Sequence, residues 1–451
     1  MRKIIAIALA MSMLVTFAGC NDNSNNQQPK VVETIDVPKN DQAESDDDVG
    51  EHKDYDKENT KCYYSGSLLF AKQDGKYRSM ELFTMDIGEG CLEFYANEIN
   101  KIKEEAGNKV NVYSMIIPSA CEFYCPPKYQ TEIDDQTDII QSTYDMLVGV
   151  TPIKVLETLK NHNAENIYYR SDSRLAPLGA YYAGKAFAKA AGVDYPDISE
   201  YTPSAKMEYI GDLGGMCDET GYADLSKTPD EFIYYKPPVN FKTNYYDEEF
   251  KFLTTDKYYQ ENKDSLYDGY YKGGFYCLRL DTPVENDRKL LIVKDSLGTL
   301  LPSFMTSSFS QIYVVSLKYL TANLTEIITE FGVTDVLYML STYTITGQSV
   351  YTLETLRTQA TNGTLKDDAP ETDITVYDNY DDTNDTDDTD ETSPNEPQYV
   401  YDIGLNNQIS VIDPPSPPEE EQSQVPTDDY TENYTEDYEN YNEDANDDYL
   451  E

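Results

Sequence analysis

The chain has 451 residues, with 83 acidic and 35 basic side chains, 41 Tyr, two His and no Trp. A formal net charge of −48 excludes nucleic acid as a partner, because holding phosphate needs a cationic surface. The charge is uneven: residues 367–451 hold 29 acidic side chains and no Lys or Arg, so the acidity belongs largely to the tail.

Residues 1–20 read as an export signal. Arg2 and Lys3 precede an apolar run over 4–17 that is too short to cross a bilayer. Phe17-Ala-Gly-Cys20 then has the small-small-Cys ending of a lipoprotein cleavage site. A lipid on Cys20 would tether the protein to the outer side of the bacterial cell membrane. Residues 21–60, rich in Asn, Gln and Asp, are expected to be a disordered acidic spacer. A folded domain is expected over 61–365, opening with strand-like sequence near Cys62.

Residues 92–106 predict an amphipathic helix, with Phe94, Tyr95, Ile99 and Ile102 on one face. Residues 109–118 form a mostly apolar run of strand length, as expected for a strand covered on both faces. Helices are expected near 139–146 and 152–161, then a strand at 167–169 and a helix over 177–191 that ends in Gly192 and Pro196. Residues 200–287 show weak periodicity and read as an irregular insertion with short strands. Strands at 289–293, 311–316 and 333–340 alternate with helices at 300–309 and 324–331. That alternation predicts a three-layer α/β/α domain, flavodoxin-like, with a parallel sheet. Low-complexity sequence over 366–451 cannot bury enough surface to offset chain entropy, so a disordered acidic, Tyr-rich tail is expected.

Apart from Cys20 there are six cysteines, an even number that favours disulfides in an exported chain. No Cys-x-x-Cys pair or nearby His accompanies them, so no metal site is expected, and nothing points to a cofactor. The chemistry-bearing stretches are the two crossings that follow buried strands. One offers Asp172; the other offers Ser296, just before Gly298 and a helix. There a hydroxyl would stand beside backbone amides able to hold an oxyanion.

Several stretches resemble the DHHW proteins, which belong to the SGNH hydrolase-like group related to the alginate O-acetylation proteins. They are Val112-Tyr-Ser-Met-Ile-Ile-Pro-Ser, Ile167-Tyr-Tyr-Arg-Ser-Asp with Gly179-Ala-Tyr-Tyr, and Pro229-Asp-Glu-Phe-Ile-Tyr-Tyr. Leu291-Ile-Val-Lys-Asp-Ser-Leu-Gly, Gln311-Ile-Tyr-Val-Val-Ser and Val333-Thr-Asp-Val-Leu complete the set. The resemblance implies an SGNH-like fold and a Ser–His–Asp site, with Ser296 and Asp172 on the family's Ser and Asp. The family's His-His-Trp is replaced by Ser173-Arg174-Leu175, so the usual base falls on Arg174.

A Ser hydroxyl needs a base to become a nucleophile, and a guanidinium stays protonated. His52 falls in the expected spacer, and His162 precedes the strand that Asp172 follows, which places it at the other edge of the sheet. Lys294, two residues before Ser296, is the remaining amine. Arg174 is expected to pair with Asp172 or to meet an anionic ligand, with an Arg that simply faces solvent as the alternative. The expected function is a surface lipoprotein whose domain has lost catalysis and acts as a binding or scaffold protein for cell-envelope glycan, with Arg174 and Gly298 as substrate-binding residues. The alternative is an active esterase or carbohydrate O-acyltransferase using Ser296. The Tyr-rich tail is expected to be a solvated spacer, with Tyr contact points for a further partner as the alternative.

Overall fold

The computed structural model describes residues 50–55, 60–84, 90–259, 266–267, 277–370 and 374. The chain divides into the units Met1–Asp382 and Thr383–Glu451, and every described residue belongs to the first. The signal sequence with Cys20, the spacer over 21–49 and the tail beyond 374 lie outside the described residues. Among the described residues, no helix is long and apolar enough to cross a membrane.

An antiparallel meander opens the domain: β1 (Cys62–Ser65), β2 (Leu68–Gln73) and β3 (Lys76–Met80). Helix α1 (Cys91–Ala106) follows, with Tyr95, Ile99 and Ile102 buried as the spacing predicts. Strand β4 (Asn111–Ile117) is buried at every position after Asn111. Helices α2 (Cys121–Tyr124), α3 (Gln136–Asp145) and α4 (Val155–Asn161) come next, with the two-residue β5 (Thr151–Pro152) before α4. Helix α5 (Pro177–Ala191) carries Pro in its first turn and ends at Gly192, whose φ of 64° is the left-handed conformation that glycine adopts cheaply.

The segment from 200 onward holds two small ladders. They pair β6 (Thr202–Pro203) with β9 (Tyr235–Lys236) and β7 (Met207–Tyr209) with β8 (Asp230–Phe232). The short helices α6 (Leu213–Met216) and α7 (Glu219–Ser226) lie between β7 and β8. Then β10 (Lys242–Tyr246), β11 (Phe252–Asp256) and β12 (Cys277–Asp281) join the central sheet. The insertion does hold short strands, and part of it extends the central sheet. The rest of the domain is β13 (Lys289–Lys294), α8 (Leu301–Phe304), β14 (Gln311–Ser316), α9 (Leu324–Glu330), β15 (Asp335–Ser341), α10 (Thr342–Thr346) and α11 (Thr352–Thr358).

The sheet order is β11-β10-β12-β14-β13-β15-β4-β5. Pairing is parallel from β14 through β5 and antiparallel on the β12, β10, β11 side. Strands β13, β14, β15 and β4 are buried almost throughout, as sheets covered on both faces require. Helices α1, α9 and α11 pack together, and so do α4, α5 and α8, which supplies the two helical layers of the α/β/α sandwich. The chain leaves β13 for β14 on one side and then returns to β15 on the other. The carboxyl end of β13 is therefore the switch point at which open α/β sheets form their crevice.

Three expectations need correction. No strand forms at 167–169: Tyr168 makes one isolated bridge to Leu175, and the three residues are buried by packing, not by a ladder. The helix expected over 300–309 is regular only over Leu301–Phe304. The disulfides are absent: Cys62, Cys91, Cys121, Cys125, Cys217 and Cys277 are all free thiols. Cys121 and Cys125 flank the same short helix α2 without being bonded, and the thiols have contacts of their own. Cys121 Sγ, for example, accepts from Phe83 N at 3.3 Å, and Cys217 Sγ donates to Gly214 O at 3.2 Å.

Both ends of the described core reach further than the sequence suggested. Residues 50–55, within the expected spacer, pack on the domain: Tyr55 is buried, Lys53 N donates to Asn163 Oδ1 at 2.8 Å, and Ala164 N donates to Glu51 O. At the other end, Asp367 pairs with Arg279 and accepts from Tyr246 OH at 2.8 Å, and Lys242 Nζ donates to Pro370 O at 2.7 Å.

Candidate functional site

Ser296 opens a single 3-10 turn directly after β13, and its side chain is exposed. The turn is built by Asp295. Its carboxylate accepts from Leu297 N at 3.0 Å, from Ser341 N at 2.7 Å and from Thr344 Oγ1 at 2.7 Å, which ties the end of β13 to the end of β15. Gly298 lies flat on the strand, where a Cβ would stand 2.7 Å from Lys294 Cβ. Its amide donates to Asp295 O at 3.2 Å. The two amides after Ser296 are thus spent inside the turn. The oxyanion site expected there, and with it the binding role expected of the Gly298 amide, has no free donor among them.

Among the described residues no side chain hydrogen-bonds the Ser296 hydroxyl. Lys294 is buried, and its ammonium donates to Thr299 Oγ1 at 3.3 Å. His52 bonds Lys160 O at 2.8 Å, and its other ring nitrogen pairs with Asp54. His162 bonds Glu165 at 2.6 Å and stacks on Tyr182 at 3.5 Å. Both imidazoles are committed elsewhere, although not for the reason of strand length given above.

Asp172 is fully buried on a loop at the same sheet edge, which Tyr168 OH fixes by bonding to Pro118 O just after β4. Arg174 grips it three times, through N at 2.9 Å, Nε at 2.8 Å and Nη2 at 2.7 Å. Tyr209 OH adds a bond at 2.5 Å. The guanidinium also reaches Asp212 at 2.9 Å and lies 3.8 Å over the Tyr267 ring. Burial alone would push the Asp172 carboxyl up, but the Arg174 charge and bonds outweigh it and hold it below the usual value. The same pairing holds Arg174 well above its ordinary value against its own burial.

Arg174 therefore does not face solvent; of the two roles expected, pairing with Asp172 is the one present. Tyr209, Asp212 and Tyr267 were not named as site residues from the sequence. They come from the weakly periodic insertion, and nothing local marks them as partners of a loop more than thirty residues upstream.

The structure brings Ser296, Asp172 and Arg174 to one edge of the sheet, but no hydrogen bond or ion pair joins Ser296 to the other two. Chemically, the arrangement offers a solvent-facing hydroxyl at a switch point and, where a base would stand, a neutralised ion pair.

Residues 65–315 match the family described as DHHW protein. A DHHW family protein from Eubacterium siraeum, solved by crystallography, is 28% identical with a TM-score of 0.62 over 67% of this chain and 98% of that one. Bacillus cereus PatB1 with a sulfonyl adduct is 16% identical with a TM-score of 0.49, over 64% of this chain and 98% of that one. The O-acetyltransferase domain of Pseudomonas putida AlgJ is 12% identical with a TM-score of 0.38, over 66% and 100%. No curated protein matches the chain.

Proposed function

The chain belongs to the DHHW protein family, and from that premise we propose that it is a surface lipoprotein whose crevice binds cell-envelope glycan without turning it over. The fold is the SGNH-like α/β/α sandwich that the sequence implied. One observation carries the reading: the residue on the family's base position, Arg174, spends its guanidinium on Asp172, Asp212 and Tyr267. A guanidinium cannot accept the Ser296 proton, and one held by two carboxylates is further still from doing so. The consumed amides beside Ser296 support the same reading, since they would otherwise hold the oxyanion of a tetrahedral intermediate. Tethering through a lipid on Cys20 belongs to this proposal and rests on the sequence of residues 1–20.

The test is a fluorophosphonate, which reports an activated serine. We expect no adduct on Ser296 after long incubation, and no hydrolysis of aryl acetate or acetylated glycan. Turnover abolished by Ser296→Ala would overturn the reading in favour of an esterase or O-acyltransferase. A Cys20→Ala chain released from membranes into the medium is the expected outcome for the tether.

A further inference from the structure

Resting on the binding reading above, we propose that Glu81 and Tyr343 form a subsite in this crevice for a sugar carrying a free amine. Glu81 follows β3 on a segment fixed at both ends. Two residues before it, Ser79 N and Oγ both bond Arg170 O, at 2.9 and 3.0 Å, on the strand of chain that leads to Asp172. Two residues after it, Phe83 packs edge-on against Tyr343 with ring centroids 4.9 Å apart, and Phe83 N bonds Cys121 Sγ. Glu81 is thus strung between the Asp172 loop and the residue just beyond the end of β15.

The carboxyl is half-buried, yet among the described residues it has no hydrogen bond and no ion pair. Its neighbours are all satisfied: Asp172 by Arg174 and Tyr209, Asp212 by Arg174, Asp295 by Ser341 and Thr344. Burial and then the like charge of Asp172 raise Glu81 above the usual carboxyl value, so the group lacks the partner that would relieve it. Among the described residues the one charge that acts on it is the negative charge of Asp172, and an uncompensated carboxylate favours a cation over an anion. Tyr343 is 36% exposed and supplies the aromatic face on which a sugar ring, or its ammonium, can rest. An ammonium held by Glu81 over Tyr343 satisfies all of these features; an N-acetylated sugar offers no charge to Glu81.

Calorimetric titration of the full chain with a glucosamine tetramer and with its N-acetylated counterpart, at near-neutral pH, tests this. The wild type should bind the amine form about tenfold more tightly, the range of one charge-assisted hydrogen bond. The isosteric Glu81→Gln should cut that preference about tenfold relative to wild type, and Tyr343→Ala should weaken both oligomers. Attraction of a polycation to other acidic residues is common to wild type and Glu81→Gln, so the ratio between them is the readout. Equal binding of the two oligomers, or a preference unchanged in Glu81→Gln, overturns the amine subsite and leaves the glycan-binding reading standing. Binding of neither overturns both.

Discussion

Arg174 is the residue on which the reading of the crevice turns, and its removal has a signature that depends on pH. In the wild type the Asp172 carboxyl is held below its unfolded value, near ~3.9. The stability from the pair is therefore complete above that value and is lost as pH falls through the lower folded one. Arg174→Ala strips the partner from a buried charge, which costs about 3–5 kcal/mol at neutral pH. Burial then raises Asp172 instead of lowering it, so this variant should grow more stable on mild acidification, where the wild type does not. Denaturant melts across the pH range check the sign. Arg174→His makes the complementary experiment. It puts an acceptor beside Asp172, and we expect Ser296-dependent aryl acetate hydrolysis to emerge. The gain should be no more than about a hundredfold over wild type, the low end for a positioned base, because the amides after Ser296 stay occupied.

At the scale of elements, the family's motifs turn out to mark close approaches. Gly179, in the Gly-Ala-Tyr stretch, brings α5 so near the loop that a Cβ would stand 2.2 Å from Ile167 O. Gly179→Ala should cost about 1–3 kcal/mol, the usual range for overpacking, with the Tm falling and the crevice loop loosened. Strands β4, β13, β14 and β15 were legible because buried parallel strands read as unbroken apolar runs. Strand β10 was not, because its buried residues include Lys242, Thr243 and Asn244. Lys242 and Asn244 are carried inside by Asp281 and Pro370 O, partners that lie 37 residues or more away along the chain. Hydropathy sees a polar stretch there, and only the pairing reveals a core strand. The bridge at Tyr168 is the opposite case, with apolar sequence and deep burial but almost no ladder. In the site itself, Ser296, Asp172 and Arg174 could be found from local order along the chain. The grip of Tyr209, Asp212 and Tyr267 could not, since each acts across a tertiary contact.

For the whole molecule, the sequence placed the end of the domain at 365, where low complexity begins. The fold continues to Pro370, because Asp367 and Pro370 O answer buried cations on β10 and β12. Ending the chain after 374 should leave the Tm of the domain unchanged. Ending it after 365 removes Asp367 from Arg279 and the Pro370 carbonyl from Lys242, and we expect a loss of about 2–4 kcal/mol by chemical denaturation.

That C-terminal clasp also decides where tension would enter the molecule. A pull on the carboxyl end is borne first by Asp367 and Pro370, and so by the antiparallel margin of the sheet. The Ser296 turn hangs from β13 and β15, on the far side of β12 and β14. Strands must peel from that margin before any load reaches the mouth, so a protein tugged from this end would keep the Ser296 turn in shape longest.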